Sequence, residues 1–157
     1  MSLVAAFLLA AASQLGAREQ ALTVMPDDPQ MRKIHEEWGF SQAIVAGDKI
    51  YVSGIVVGAP RDGGTLQASF DRAFSQIGDI LKRSGSSWDD VVEITSYHTD
   101  VTSQMTPMIE VKHRYVKAPF PAWTAVEVSR LIPDRGITEI KVTAHRSVGA
   151  QGRGQRR

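Results

Sequence analysis

Few side chains in this sequence have the type and setting to do chemistry, and no familiar constellation is complete. There is no Cys, which excludes thiolate nucleophiles, disulfides and thiolate metal sites. The four His residues (His35, His98, His113 and His145) lie far apart without ligand spacing, so no zinc signature is present. Glu139 sits in the run Thr138-Glu139-Ile140-Lys141-Val142, where Glu139, Lys141 and Thr143 alternate on the polar face of a strand. A carboxylate there is either an ordinary exposed strand residue or, in a partly apolar cleft, a group able to orient or deprotonate a water. His98 ends another strand as the sole ionisable side chain on the face of Val92, Ile94 and Ser96. It is either a proton-transfer group or a structural one hydrogen-bonded near Asp100. Trp123 follows two prolines in the stretch APFPAWTAVEV, residues 118–128. Period-two alternation puts Trp123, Ala125 and Glu127 on one side and Thr124, Val126 and Val128 on the other. The indole then either stacks on a ligand or packs at a subunit seam.

The elements that must position these residues are legible from periodicity. Two apolar runs around Gly47-Asp48, Ala43–Ala46 and Lys49–Ile55, read as a β-hairpin. From Leu66 the spacing changes to three and four through Phe70, Ala73, Phe74, Ile77, Ile80 and Leu81, predicting an amphipathic helix stopped by Gly85. Val91–Thr99 is β-branched and reads as a strand. A second helix spans Thr102–Val116, with Met105, Met108, Ile109, Tyr115 and Val116 as its apolar stripe and Pro107 placed in or near its first turn. The strand after the double proline, a turn at Pro133–Gly136 and the strand Ile137–His145 complete the order β-β-α-β-α-β-β. Two helices with one stripe each need one sheet face, which predicts an α+β fold with both helices on the same side. Tyr51, Val91 and Tyr97 are then left on the opposite face, and an oligomer is the simplest cover.

Composition bounds the rest. A chain of 157 residues with 43% hydrophobic and 22% charged residues suits one globular domain. A net charge of +1 makes no case for nucleic acid or an anionic membrane as partner. The apolar run in residues 1–17 is too short to span a bilayer and has the length of a signal-peptide core. It predicts export to the periplasm, with no membrane attachment of the mature form; a cytoplasmic N-terminal helix is the alternative. Residues 18–38 read as an irregular lead-in, 39–147 as the single domain, and 148–157, rich in Gly and Arg, as a disordered basic tail.

The element order, Ser53-Gly54 after the hairpin, the stretch Pro121-Ala122-x-Thr124-x-Val126-Glu127-Val128 and Thr138–Val142 together resemble the reactive-intermediate deaminase family (RidA/YjgF). That family has also been called the liver perchloric-acid-soluble "endoribonuclease" family. The resemblance covers Gly39–Arg146. It implies a chorismate-mutase-like fold, a homotrimer with three clefts between subunits, and cofactor-free hydrolysis of imines or enamines derived from amino acids. It further implies that Glu139 positions the water and that backbone around Ser53, Gly54 and Ala125 holds polar atoms of the ligand. Three positions depart from the family. Trp123 stands where deaminases carry an Arg that grips the substrate carboxylate in two parallel hydrogen bonds, and an indole offers one N–H and no charge. Met108 falls where a polar Asn is expected. Phe40 falls where a Tyr is expected and lacks its hydroxyl.

Three functions follow as expectations. One is an imine or enamine hydrolase with an altered cleft, weak or inactive on small imino acids. Another is a non-catalytic trimer binding a small apolar or aromatic ligand in the clefts between subunits. A third is the ribonuclease of the older family name, against which stands the lack of any paired His or Lys constellation.

Overall fold

The computed structural model describes residues 16–146; the candidate signal segment up to residue 15 and the basic tail lie outside them. The first element is already a departure from the sequence reading. The segment taken as an irregular lead-in contains a short strand, β1 (Leu22–Val24), and a ten-residue helix, α1 (Pro29–Trp38). Asp28 caps α1 by accepting from Met31 N, Pro29 opens it, and Gly39 closes it at φ 71°. The hairpin of β2 (Ala43–Ala46) and β3 (Lys49–Gly58) turns at Gly47, whose φ of 64° is the left-handed value such a turn requires. Helix α2 (Leu66–Arg83) starts at the Thr65 cap and buries Phe70, Ala73, Phe74, Ile77, Ile80 and Leu81, the stripe its spacing predicts.

Strand β4 (Val91–His98), helix α3 (Val101–Tyr115), and strands β5 (Ala122–Glu127) and β6 (Gly136–His145) follow. One six-stranded sheet runs in the order β1-β2-β3-β6-β4-β5, antiparallel except for the β4–β5 pair. The core lies between α2, α3 and one sheet face, where Val52, Ile94, Ile140 and Val142 meet the α2 stripe. This is the α+β arrangement expected, with α1 added.

Two details differ in α3. Pro107 lies in the second turn and not the first, buried inside the helix, so the carbonyl one turn back goes without its helical donor. The inward face is also rotated relative to the expected stripe, because Gln104 and Lys112 are buried beside Met108 and Val111 while Met105 and Ile109 are only half-buried. On the far face of the sheet Tyr51 and Val126 stay exposed and Tyr97 half-buried. Val91 does not join them. A bulge between Val91 and Glu93 turns it onto the helix side, where it is buried in register with Ala144.

Candidate functional site

Ser53 and Gly54 form a break in β3. The register with β6 shifts between Val52 and Ile55, and β2 pairs only as far as Val52. Ser53 N still donates to Gln42 O at 3.0 Å, and Ser53 Oγ donates to Ser41 O at 2.7 Å. Beyond that point no strand among the described residues flanks this edge of β3. A cleft of about 500 Å³ opens there, bounded by Ser53–Val56, by Phe40 and Gln42, by α1 through Met31 and His35, and by Arg83 at the end of α2.

The walls are tied down. Arg83 donates from Nη1 to Gln42 Oε1 at 2.9 Å and from Nη2 to Asp27 Oδ1 at 3.0 Å, and it also holds the carbonyl of Met25. It therefore fixes the loop before α1 to α2 and to the start of β2. Phe40 lies stacked on His35, ring centroids 4.0 Å apart. Burial pushes the His35 pKa down, which keeps the ring neutral near pH 7, and its Nδ1 is occluded without a hydrogen-bond partner. Neither His35 nor Arg83 was found from sequence. The signal for α1 is present in the Asp28-Pro29 start and the Gly39 stop, whereas an Arg in the last turn of a helix carries no sequence signal of a site.

Glu139 stands on the sheet face away from α2 and α3, in register with Val56 on one side and Tyr97 on the other. Its half-buried side chain lies directly over Gly54: a Cβ built on that glycine would fall 1.8 Å from Glu139 Oε1 and 2.8 Å from Cγ. The glycine is needed because the carboxylate occupies the space a side chain would take. Phe40, Ser53 and Gly54 thus line the cleft at the edge of β3, while Glu139 meets Gly54 from the far face of the sheet and is not among the residues lining that cleft.

Trp123 is elsewhere. It pairs with Ile94 in β5, as Ala125 does with Ser96, so both point to the helix side. β5 is the terminal strand, three strand spacings from β3, or roughly 14 Å. The indole packs against the core and donates from Nε1 to Ser96 Oγ at 2.9 Å. Lys112 Nζ lies 4.1 Å from its ring centroid. Met108 is fully buried and presents no surface to a ligand. Within one chain, Trp123 and Ala125 share neither face nor edge with Glu139. A site that unites them takes its two halves from two copies of the chain.

His98 belongs to the buried side as well. It has no exposed surface, and its partners are Ser96 Oγ (2.9 Å from Nε2), Gln104 Oε1 and Thr138 Oγ1 (each 3.3 Å from Nδ1), with Asp100 instead capping α3. An indole N–H can only donate, so the Ser96 oxygen accepts from Trp123 and its own proton is free for His98 Nε2. Nδ1 then carries the ring proton toward Gln104 Oε1, which also accepts from Thr138 at 3.1 Å. Burial lowers the pKa of His98, consistent with this neutral tautomer. The chain Trp123–Ser96–His98–Gln104–Thr138 is a structural network that locks the indole.

The family described as Endoribonuclease L-PSP matches residues 30–146. The RutC family protein YjgH of Escherichia coli is 36% identical over 103 residues, 62% of this chain and 77% of that protein. A bovine protein named 2-iminobutanoate/2-iminopropanoate deaminase is 32% identical over 109 residues, 67% of this chain and 78% of that one. Among solved structures, a YjgF-family protein of Mycobacterium tuberculosis superposes with a TM-score of 0.68 at 26% identity, over 80% of this chain and 98% of the other.

Proposed function

Because the chain belongs to the Endoribonuclease L-PSP (RidA/YjgF) family, we propose that it hydrolyses imines or enamines in clefts formed between subunits of a homotrimer, without a cofactor. The observation that carries this reading is the Glu139 carboxylate laid over Gly54, a residue that also lines the cleft at the open edge of β3 with Phe40 and Ser53. Water is activated as it attacks the C=N carbon: Glu139 takes a proton from it, and the carbon becomes tetrahedral. The same carboxylic acid returns that proton to the nitrogen, giving a neutral carbinolamine. Glu139 then carries the hydroxyl proton to the nitrogen as the C–N bond breaks, and ketone and ammonia leave. In this reading the backbone around Ser53 and Gly54 holds the polar atoms of the substrate through groups other than Ser53 N, which is given to Gln42 O. Phe40 and His35 supply an aromatic wall in place of a hydroxyl.

The exposed Tyr51 and Val126 on the uncovered sheet face, together with the separation of Glu139 from β5, support the trimer. Glu139→Gln should reduce turnover by about 100-fold or more while the protein still sediments as the trimer. Imines for the assay are generated in situ by an amino-acid oxidase and followed as ketone product. Wild-type rates at the uncatalysed level for small, aromatic and carboxylate-free imines alike would replace hydrolysis with the binding-only reading.

A further inference from the structure

Lys112 is the one basic side chain on the inward face of α3. Only 8% of the residue is exposed, and burial pushes its pKa down. An ammonium taken out of water normally finds a carboxylate. Lys112 has none: the ion pairs among the described residues join other groups, and its only charge-compensating contact is the face of Trp123. A cation–π contact returns part of the lost hydration but fills none of the three N–H donors. Nor is the nitrogen fully sealed in, since among the described residues the side-chain polar atoms occluded without a partner are His35 Nδ1 and Trp88 Nε1. The side chain is largely covered, and the nitrogen keeps only a small share of the exposed surface. The ring beneath it cannot swing aside, because Ser96 holds the indole N–H and His98 holds Ser96.

We propose that Lys112, seated on Trp123, is the binding point for a ligand carboxylate. The anion is singly charged and held at one point, for two reasons. The Trp123 N–H is already committed to Ser96 and cannot form the second prong. The next cations along α3 do not help: Arg114 is paired with Asp71 at 3.4 Å, and His113 points outward. A phosphate or other dianion would find one donor group where it needs several. Trp123 lies on β5, the terminal strand of the sheet, and the place of this site in the catalytic cleft rests on the intersubunit reading above. In that cleft Lys112 restores the charge an Arg at position 123 would bring, without the fork. Carboxylate substrates are then recognised more weakly than by a guanidinium, and not rejected.

The test uses the full-length protein, with 2-oxobutanoate as the carboxylate, butanone as its neutral counterpart and inorganic phosphate as the competing anion. Calorimetry and tryptophan fluorescence should show saturable binding of 2-oxobutanoate, weakened roughly 10- to 100-fold in Lys112→Met and largely recovered in Lys112→Arg. Butanone should bind both forms alike, and phosphate more weakly than 2-oxobutanoate. No saturable binding to the wild type, equal binding to Lys112→Met, or preference for phosphate overturns the proposal. If Lys112→Met unfolds, the nitrogen-15 shift of the Lys112 ammonium in the wild type decides: movement on adding 2-oxobutanoate supports the site, and none removes it. Lys112-dependent binding without any imine turnover would sink the hydrolase reading and leave this site standing. Turnover of imino acids indifferent to Lys112 would do the reverse.

Discussion

Gly54→Ala gives the sharpest test of how Glu139 is placed. The added methyl carbon would sit 1.8 Å from Oε1, 2.5 Å from Cδ and 2.8 Å from Cγ of Glu139. Contact with Cγ as well as the tip means that turning the carboxylate is not enough; the whole side chain must leave its rotamer. The backbone itself raises no objection, since Gly54 is not among the glycines with positive φ. The cost therefore isolates one contact. Overpacking of this kind typically destabilises by about 1–3 kcal/mol. In a Glu139→Ala background every close atom is gone, so Gly54→Ala should then cost no more than about 0.5 kcal/mol, the size of an ordinary surface change. Urea denaturation of the four proteins at one concentration, with unchanged m-values, gives the coupling energy. The concentration must be matched because assembly adds to apparent stability. Imine turnover should fall in Gly54→Ala, as the carboxylate is displaced from its place over residue 54. A penalty of the same size in both backgrounds would mean that the clash is with something other than Glu139, and the site geometry would be wrong.

Two further outcomes follow from the buried side of the sheet. Trp123→Arg should lower stability by about 1–3 kcal/mol and leave small imino acids no better hydrolysed, because it strands Ser96 and sets a guanidinium against Lys112; improved turnover at full stability would refute the packing described for the indole. His98 and His35 are both held neutral, with pKa values below the ordinary 6.5. The unfolded chain then binds more protons than the folded one as pH drops below about 6.5, so stability falls toward pH 5 by up to about 1.4 kcal/mol per pH unit for each His. His98→Gln should shallow that slope, as measured by denaturation at pH 7 and pH 5, and an unchanged slope would remove His98 as the cause.

How far the sequence reveals this protein depends on whether each signal is local. The β2–β3 hairpin and α2 are legible because their turn chemistry and apolar period lie within one window of chain. α1 was missed because its residues are mostly polar and its apolar ones, Met31, Ile34 and Trp38, stay exposed; only its ends are marked. The face of α3 was misread for the opposite reason. Gln104 and Lys112 look like solvent residues and are buried, one to satisfy His98 and Thr138, the other against Trp123. The site divides in the same way. Ser53, Gly54 and Glu139 are distant in sequence yet meet, because β6 inserts beside β3. Period two separates Trp123 from Thr124 but cannot say which side the helices cover, and that side decides whether the indole meets a ligand or the core.

The residues at 112 and 123 are best understood as one coupled choice. A guanidinium at 123 would lie within a few ångströms of the Lys112 ammonium in a region sparing of water, where like charges repel strongly. An indole at 123 removes that conflict and gives the ammonium a face to rest on. Ser96 completes the choice by taking the one donor the indole brings, and His98, fixed between Ser96 and Gln104, holds Ser96 in turn. Changing Trp123 alone therefore disturbs four residues, while changing Lys112 to Met disturbs little beyond its own charge. On this reasoning Trp123→Arg and Lys112→Met should be strongly non-additive: the double variant should be more stable than Trp123→Arg alone, because the repulsion is relieved. A double variant no more stable than that single one would show that the two side chains do not sense each other, and the carboxylate site built on their contact would lose its foundation.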